Sequence, residues 1–263
     1  MARTLWIGTS WKMTKTIGEA RAFAEALAGA RIPDGVQPFV LPAHTSLAAV
    51  RDCLPADSPV LLGTQNAHWA AEGAGTGEIS MRMAADAGAR LVEMGHSERR
   101  EQFGETDETV ARKARAAVDA GLVPLICVGE PAAVRDAGTA EGFVTRQCTA
   151  ALSMLRPDEV ERTLVAYEPV WAIGESGRAA TAGEVAPVVE ALRHEAERRS
   201  AGSGCRGLLY GGSVSTRNAA GLLADVPVDG LFVGRSAWDV SGFLELLRLA
   251  GEHLAEGSRP SSG

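Results

Sequence analysis

The chain has 263 residues, of which 46% are hydrophobic and 22% are charged. Intrinsic disorder is excluded, because disordered chains combine few apolar residues with a high net charge. The 33 acidic and 26 basic residues give a formal net charge of −7, which argues against a nucleic acid or an anionic membrane as the main partner. The length fits two average domains or one α/β barrel.

Targeting signals and cysteine pairs are not evident in the sequence. The apolar runs are too short for a membrane-spanning helix, which needs about 20 residues. The N-terminal segment lacks the long apolar stretch of a signal peptide. The cysteines form no C-x-x-C pair, and we interpret them as reduced residues; they are Cys53, Cys127, Cys148 and Cys205. We therefore expect a cytoplasmic protein.

Short β-rich runs alternate with helical patterns along the chain. The predicted strands span residues 5–9, 37–41, 60–64, 91–94, 123–128, 163–167, 207–210 and 231–233. Most are continuously apolar, which is typical of strands buried on both faces of a parallel sheet. Apolar residues with helical spacing predict helices over residues 16–30, 108–120, 140–155, 184–199 and 240–254.

This alternation predicts an α/β fold, a single (β/α)8 barrel with a closed parallel sheet. The barrel would occupy residues 1–256, and residues 257–263 read as a disordered tail. A doubly wound open sheet is the alternative, but its glycine-rich dinucleotide turn does not follow the first strand.

Polar residues follow several of the predicted strands, where the chemistry of a barrel is located. Lys12 follows the first strand, His96 the fourth and Glu168 the sixth, and glycine-rich turns with Ser213 and Gly234 follow the last two. Such turns offer backbone N–H groups to an anion such as phosphate. A cation, an imidazole and a carboxylate together can move protons beside a polarised carbonyl.

Taken singly, each of these residues has a simpler interpretation. Lys12 could be a solvated surface lysine, and His96 could only begin a helix. Glu168 precedes a proline, so it cannot lie well inside a helix. Their joint placement at strand ends favours a single site. We expect neither a cofactor nor a metal, because the five histidines are dispersed.

Several motifs resemble the triosephosphate isomerase family. They are Trp-Lys-Met at 11–13, Gly-His-Ser-Glu-Arg-Arg at 95–100, Tyr-Glu-Pro-Val-Trp-Ala-Ile-Gly at 167–174 and Tyr-Gly-Gly-Ser-Val at 210–214. Residues 65–66 and 76–78 also match, and the resemblance runs in order from residue 5 to 249. It implies an intramolecular oxidoreductase that isomerises a small phosphorylated sugar through an enediolate.

The resemblance also implies roles for individual residues. Glu168 would be the base, His96 the neutral electrophile and Lys12 the positive charge beside the oxyanion, with Glu98 supporting Lys12. A water-excluding lid would include Pro169, Val170, Trp171, Gly174, Glu175, Ser176 and Gly177. The phosphate would lie against N–H groups of Gly174, Ser213, Gly234 and Arg235.

Three departures from the family pattern concern the substrate. Ser10 replaces the usual asparagine, Arg235 replaces a usual glycine, and the lid at 174–178 is slightly longer and lacks the usual Thr-Gly-Lys. They are neutral drift if the protein is an ordinary triosephosphate isomerase. The smaller Ser10 would, however, admit one more hydroxymethyl group.

Residues 8–13, 66–69 and 234–238 are similar to a subgroup of the family, the bacterial erythrulose phosphate isomerases of erythritol breakdown. This resemblance implies interconversion of L-erythrulose 1-phosphate and D-erythrulose 4-phosphate. An ordinary triosephosphate isomerase and a non-catalytic phosphosugar-binding barrel are the alternatives.

A long segment at residues 65–78 follows the third predicted strand and contains His68 and Trp69. An aromatic residue in a long polar loop mildly favours an interface. By resemblance the loop would reach a partner subunit, placing Thr76 near the partner's active site. We expect a homodimer; a loop packed on its own monomer is the alternative.

Overall fold

The computed structural model describes residues 4–174 and 177–257. In these residues eight parallel strands close into a barrel, each paired with its neighbours in the chain and β8 paired with β1. The strands are β1 Leu5–Ser10, β2 Val36–Leu41, β3 Leu61–Thr64, β4 Leu91–Met94, β5 Val123–Val128, β6 Leu164–Tyr167, β7 Gly207–Tyr210 and β8 Gly230–Val233. The predicted closed barrel is confirmed, and the open-sheet alternative is wrong.

Helices surround the barrel between successive strands. They are α1 Ile17–Ala28, α2 Leu47–Cys53, α3 Met81–Asp86, α4 Ser97–Phe103, α5 Asp107–Asp119, α6 Ala132–Asp136, α7 Ala140–Ala151, α8 Pro157–Val160, α9 Ala182–Arg199, α10 Ala219–Asp225 and α11 Val240–Gly257. Single 3-10 turns lie at His44–Ser46, Val170–Ala172 and Arg235–Ala237. Among the described helices, none combines the length and the apolar character needed to cross a membrane.

The structure differs from the prediction at the end of one helix and at the start of the predicted C-terminal tail. The helix predicted over 140–155 ends at Ala151, and α8 begins only at Pro157. Of the predicted tail, Gly257 is the last residue of α11, whereas residues 258–263 lie outside the part that the structure describes.

The strands are apolar on both faces because each face is covered. One set of side chains fills the inside of the barrel and includes Trp6, Phe39, Leu91, Leu125 and Phe232. The alternate set packs outward against the helices and includes Ile7, Val40, Val92, Ile126 and Val165. Burial on two sides explains why the strands read as continuous hydrophobic runs rather than alternating ones.

The inside of the barrel is packed closely around Phe39. Its ring lies 5.6 Å from the ring centroid of Phe232 and 6.3 Å from that of Trp6. The ring also occupies the space beside Gly8, where an added Cβ would lie 1.9 Å from Phe39 Cζ. A side chain at position 8 would therefore displace a buried aromatic ring.

We expect Gly8→Ala to destabilise the protein by about 1–3 kcal/mol, because overpacking forces buried side chains from their preferred positions. The matched control is Gly18→Ala in α1, where nothing lies within 4 Å of an added Cβ. That change should be neutral or stabilise by up to about 1 kcal/mol. Urea unfolding measures both, and equal stabilities would contradict this account of the inner packing.

Candidate active site

The carboxyl ends of the strands surround a cavity of about 490 Å³. Because all strands run parallel, residues that follow different strands meet at this one end. The lining includes the predicted residues Ser10, Lys12, His96, Glu168, Gly174, Ser213, Gly234 and Arg235. Glu98 joins them through Lys12. The structure thus brings together every predicted binding and catalytic residue that it describes.

Glu168 directly follows β6, and the residue is only 4% exposed. Gly211, after β7, provides the space for it, since an added Cβ there would lie 2.8 Å from Glu168 Cγ. Burial, and then the nearby carboxylate of Glu93, raise the pKa of Glu168 well above its ordinary value. Its Oε2 accepts no hydrogen bond from the described residues and lies 3.3 Å from His96 Nε2. Glu168 is therefore an unusually basic carboxylate with a free oxygen.

His96 caps the N-terminus of α4. Its Nδ1 accepts a hydrogen bond of 3.1 Å from the backbone N–H of Glu98, so the proton of a neutral ring is assigned to Nε2. Burial, and then the positive charge of Lys12, lower the pKa of His96 to about 4. At neutral pH the ring is therefore uncharged, and its Nε2 lies 3.3 Å from Glu168 Oε2.

Lys12 lies just beyond β1 in a left-handed backbone conformation with φ of 52°, which is uncommon for a residue other than glycine. Gln65 Nε2 holds this conformation by donating to the Lys12 carbonyl oxygen at 3.0 Å. The Lys12 ammonium forms an ion pair of 2.6 Å with Glu98 Oε1. The predicted support of Lys12 by Glu98 thus has a direct contact in the structure.

A second buried carboxyl group, that of Glu93, lies below the cavity and is absent from the predicted site. Glu93 is 3% exposed, and its Oε2 accepts a hydrogen bond of 2.9 Å from Ser10 Oγ. Burial raises its pKa to about 7, although the Ser10 hydrogen bond opposes that rise. The signal for this residue was a single charge inside the apolar strand Leu-Val-Glu-Met at 91–94.

The segment after Glu168 is anchored by another carboxylate that the prediction missed. Glu130 Oε1 accepts hydrogen bonds from Trp171 Nε1 at 2.6 Å and from the Tyr167 hydroxyl at 3.2 Å. The guanidinium groups of Arg135 and Arg178 lie 4.4 Å and 4.6 Å from the centroid of the Trp171 ring. Trp171 is thus held by one hydrogen bond and two cation–π contacts.

The structure describes all but two of the remaining predicted lid residues. Pro169, Val170 and Gly174 continue from Glu168, and Gly177 resumes the described chain. Glu175 and Ser176 lie outside the described residues. Arg217, which also lines the cavity, was not predicted, because an isolated arginine in a loop carries no recognisable pattern.

The two halves of the cavity suit different chemistry. A neutral imidazole beside a basic carboxylate can move a proton between a carbon and a neighbouring oxygen. The turns after β7 and β8 supply backbone N–H groups and the cations Arg217 and Arg235, a combination that favours an anion. The fold and the site together define an α/β-barrel enzyme equipped for proton transfer on an anionic carbonyl compound.

The chain belongs to the triosephosphate isomerase family and is an isomerase: the family model described as Triosephosphate isomerase matches residues 5–250. It is 52% identical over 257 residues to an L-erythrulose-1-phosphate isomerase of Mycolicibacterium smegmatis, an overlap of 96% of this chain and 95% of the relative. The protein of that name in Rhizobium meliloti is 49% identical over 247 residues, or 93% and 96% of the two chains. The one in Mesorhizobium japonicum is 48% identical over 246 residues, or 92% and 95%. The predicted family is confirmed.

The raised pKa of Glu93 makes stability depend on pH. Because its folded-state pKa of about 7 exceeds the ordinary 4.5, the folded protein holds this proton more tightly than the unfolded chain, so the stability present below pH 4.5 is lost as pH rises through 7. We expect wild type to lose about 3 kcal/mol more than Glu93→Gln between the two limits. Urea unfolding at acidic and alkaline pH measures this loss.

Glu25→Gln, on the exposed side of α1, is the matched control and should follow wild type. A Glu93→Gln variant whose stability changes with pH as much as that of wild type would contradict the assigned pKa.

Proposed function

We propose that this isomerase interconverts L-erythrulose 1-phosphate and D-erythrulose 4-phosphate through an enediolate. The observation that carries the proposal is the buried pair of Glu168 and His96 in the cavity, 3.3 Å apart. The names of the relatives support the four-carbon substrate. So does Ser10, whose small side chain lines the same cavity as this pair.

In the proposed reaction Glu168 removes the proton from C3 of L-erythrulose 1-phosphate. The electron pair moves toward the C2 carbonyl, whose oxygen receives a hydrogen bond from His96 Nε2–H. Lys12 stabilises the developing negative charge. Protonation of C2 by Glu168, with transfer of the hydroxyl proton between the two oxygens, places the carbonyl on C3. No atom is gained or lost.

The electrostatics of the site support these roles. A base is most effective when its pKa approaches the working pH, and burial moves the pKa of Glu168 in that direction. The lowered pKa keeps His96 neutral, so it is a donor to the oxyanion without bringing a second positive charge. The ion pair with Glu98 holds Lys12 in place.

The proposal places the phosphate against the N–H groups of Gly174, Ser213, Gly234 and Arg235, all of which line the cavity. The residues from Pro169 to Gly177 would close over the intermediate. Water exclusion matters because a phosphorylated enediolate in water eliminates its phosphate. The contact of Trp171 with Glu130 offers a defined anchor for such a lid.

The proposed enzyme is a cytoplasmic homodimer formed through residues 65–78. Two observations support the dimer: residues 71–78 are exposed, and Met13 beside Lys12 is 98% exposed. At the base of the loop the rings of His68 and Trp69 stack, with centroids 4.0 Å apart. The exposed loop and the exposed methionine would cover each other across a two-fold axis.

An ordinary triosephosphate isomerase is the second candidate, favoured by the family membership itself. The two candidates share base, electrophile and intermediate, and they differ only in the size of the group carried by the carbon that loses its proton. A non-catalytic phosphosugar-binding barrel is disfavoured by the presence of Glu168, His96 and Lys12 in one cavity.

Coupled assays with both substrates test the function. We expect a higher kcat/KM for L-erythrulose 1-phosphate than for glyceraldehyde 3-phosphate, and the reverse ranking would overturn the proposal. Glu168→Gln should lower kcat by about 10²–10⁴-fold and abolish exchange of the ketose phosphate proton with solvent, observed by NMR in deuterium oxide. Binding of the ketose phosphate should survive. Glu195→Gln, a buried carboxylate on α9, is the control that should retain exchange.

The dimer is tested by Thr76→Arg at the exposed end of the loop. A large cation there should block docking against the partner, so sedimentation velocity should show monomers. Loss of the partner's support beside Lys12 should lower kcat/KM by about tenfold or more. Ser203→Arg, on an exposed turn between α9 and β7, should leave the association state unchanged. Wild-type protein that sediments as a monomer would contradict the interface.

A further inference from the structure

We propose that Glu93 is a positioning residue for substrate choice: it holds the Ser10 hydroxyl as an acceptor for the terminal hydroxyl of the four-carbon ketose phosphate. The inference rests on the proposed function and deepens it. Glu93 would act through Ser10, because Ser10 lines the cavity whereas Glu93 is not among the described lining residues.

Glu93 points into the barrel because of the alternation along β4. Leu91 belongs to the inner packing, and Val92 and Met94 pack outward toward the helices. The side chain of Glu93 therefore enters the barrel on the same side as that of Leu91, one layer nearer the cavity. A carboxyl group occupies a place where the rest of this layer is largely apolar.

A structural role alone does not explain this carboxyl group. Its described hydrogen bonds are with Ser10 Oγ at 2.9 Å and with Cys127 Sγ at 3.9 Å, and neither partner is a cation. The buried Glu105, by contrast, forms ion pairs with Lys113 and Arg99. Burying a carboxyl group without a cation is unfavourable, so an apolar side chain would serve the fold better at position 93.

The hydrogen bond determines what Ser10 offers to the cavity. A hydroxyl group has one proton and two lone pairs. Because the proton of Ser10 is donated to Glu93 Oε2, its lone pairs remain for a ligand, and Ser10 accepts rather than donates. The Ser10 backbone is held as well, since its carbonyl oxygen accepts from Trp238 Nε1 at 2.9 Å. The complementary ligand group at this point is a hydroxyl donor.

The substrate carries such a donor in the right place. Its extra hydroxymethyl group is attached to the carbon that gives its proton to Glu168, so it lies beside Glu168 and away from the phosphate. The other serine hydroxyls that line the cavity belong to the turns after β7 and β8, at Ser213, Ser215 and Ser236. Ser10 is the remaining serine, and its hydrogen-bond partner Glu93 is close enough to Glu168 to raise the pKa of that base. A triose phosphate has no group to fill this contact.

The test measures the ratio of kcat/KM for L-erythrulose 1-phosphate to that for glyceraldehyde 3-phosphate. We expect Ser10→Ala and Glu93→Leu each to lower the ratio about tenfold, the effect of losing one hydrogen bond to a neutral group. The double variant should lose no more than either single variant, because both remove the same contact. Glu93→Gln should retain most of the ratio, since its amide oxygen still accepts from Ser10.

Two further variants make the outcome decisive. Thr149→Ala removes a hydroxyl that donates a hydrogen bond of 2.6 Å to the buried carboxylate of Glu195, a contact between two helices outside the barrel. This control should leave the ratio unchanged. Glu93→Met replaces Glu93→Leu if the latter fails to fold.

The inference is overturned if the apolar variants lower kcat/KM for both substrates equally, or if the effects of Ser10→Ala and the apolar variant at position 93 add. Wild-type preference for the triose phosphate would instead defeat the proposed function. Preference for the tetrulose phosphate with an unchanged ratio in the Glu93 variants would defeat only this inference.

Discussion

Burial at the carboxyl ends of the strands governs the ionisation of Glu168, Glu93 and His96, three buried ionisable groups of the site. Glu168 and Glu93 are both buried there, and burial is the main reason that their pKa values are raised. The same burial lowers the pKa of His96. A basic carboxylate and a neutral imidazole thus arise from one low-dielectric environment rather than from separate devices. Lys12, at the edge of the site, forms an ion pair with Glu98.

That environment exists only because the sheet is closed. Eight parallel strands surround an interior packed with Phe39, Phe232 and their neighbours, so the floor of the cavity is largely apolar. Small residues then make room for functional groups, as Gly211 does for Glu168. Function and stability oppose each other at Glu93, where a carboxyl group replaces apolar packing. The free energy that the extensive surrounding core contributes to folding offsets the unfavourable burial of this carboxyl group.

Sequence patterns predicted the architecture closely, with each strand placed to within one residue at either end. Apolar runs typical of strands and apolar residues at helical spacing are local patterns, so they can be recognised in the sequence alone. Lys12, His96 and Glu168 were found because each follows a strand and stands in a distinctive motif. Glu93 and Glu130 were missed, because each is a single carboxylate whose importance depends on its contacts with residues distant in the sequence.

The order of residues by itself determined the fold class, the family and the residues that gather at the carboxyl ends of the strands. The order of residues sets the direction of each strand and the alternation of its side chains, and these assign each strand residue to one end of the barrel and one face of the sheet. Distances across the barrel do not follow from the chain. Ser10 and Glu93 lie on β1 and β4, 83 residues apart, yet their side chains are hydrogen-bonded. Only closure of the sheet decided that contact, because the curvature that brings opposite strands together is a property of all eight strands at once.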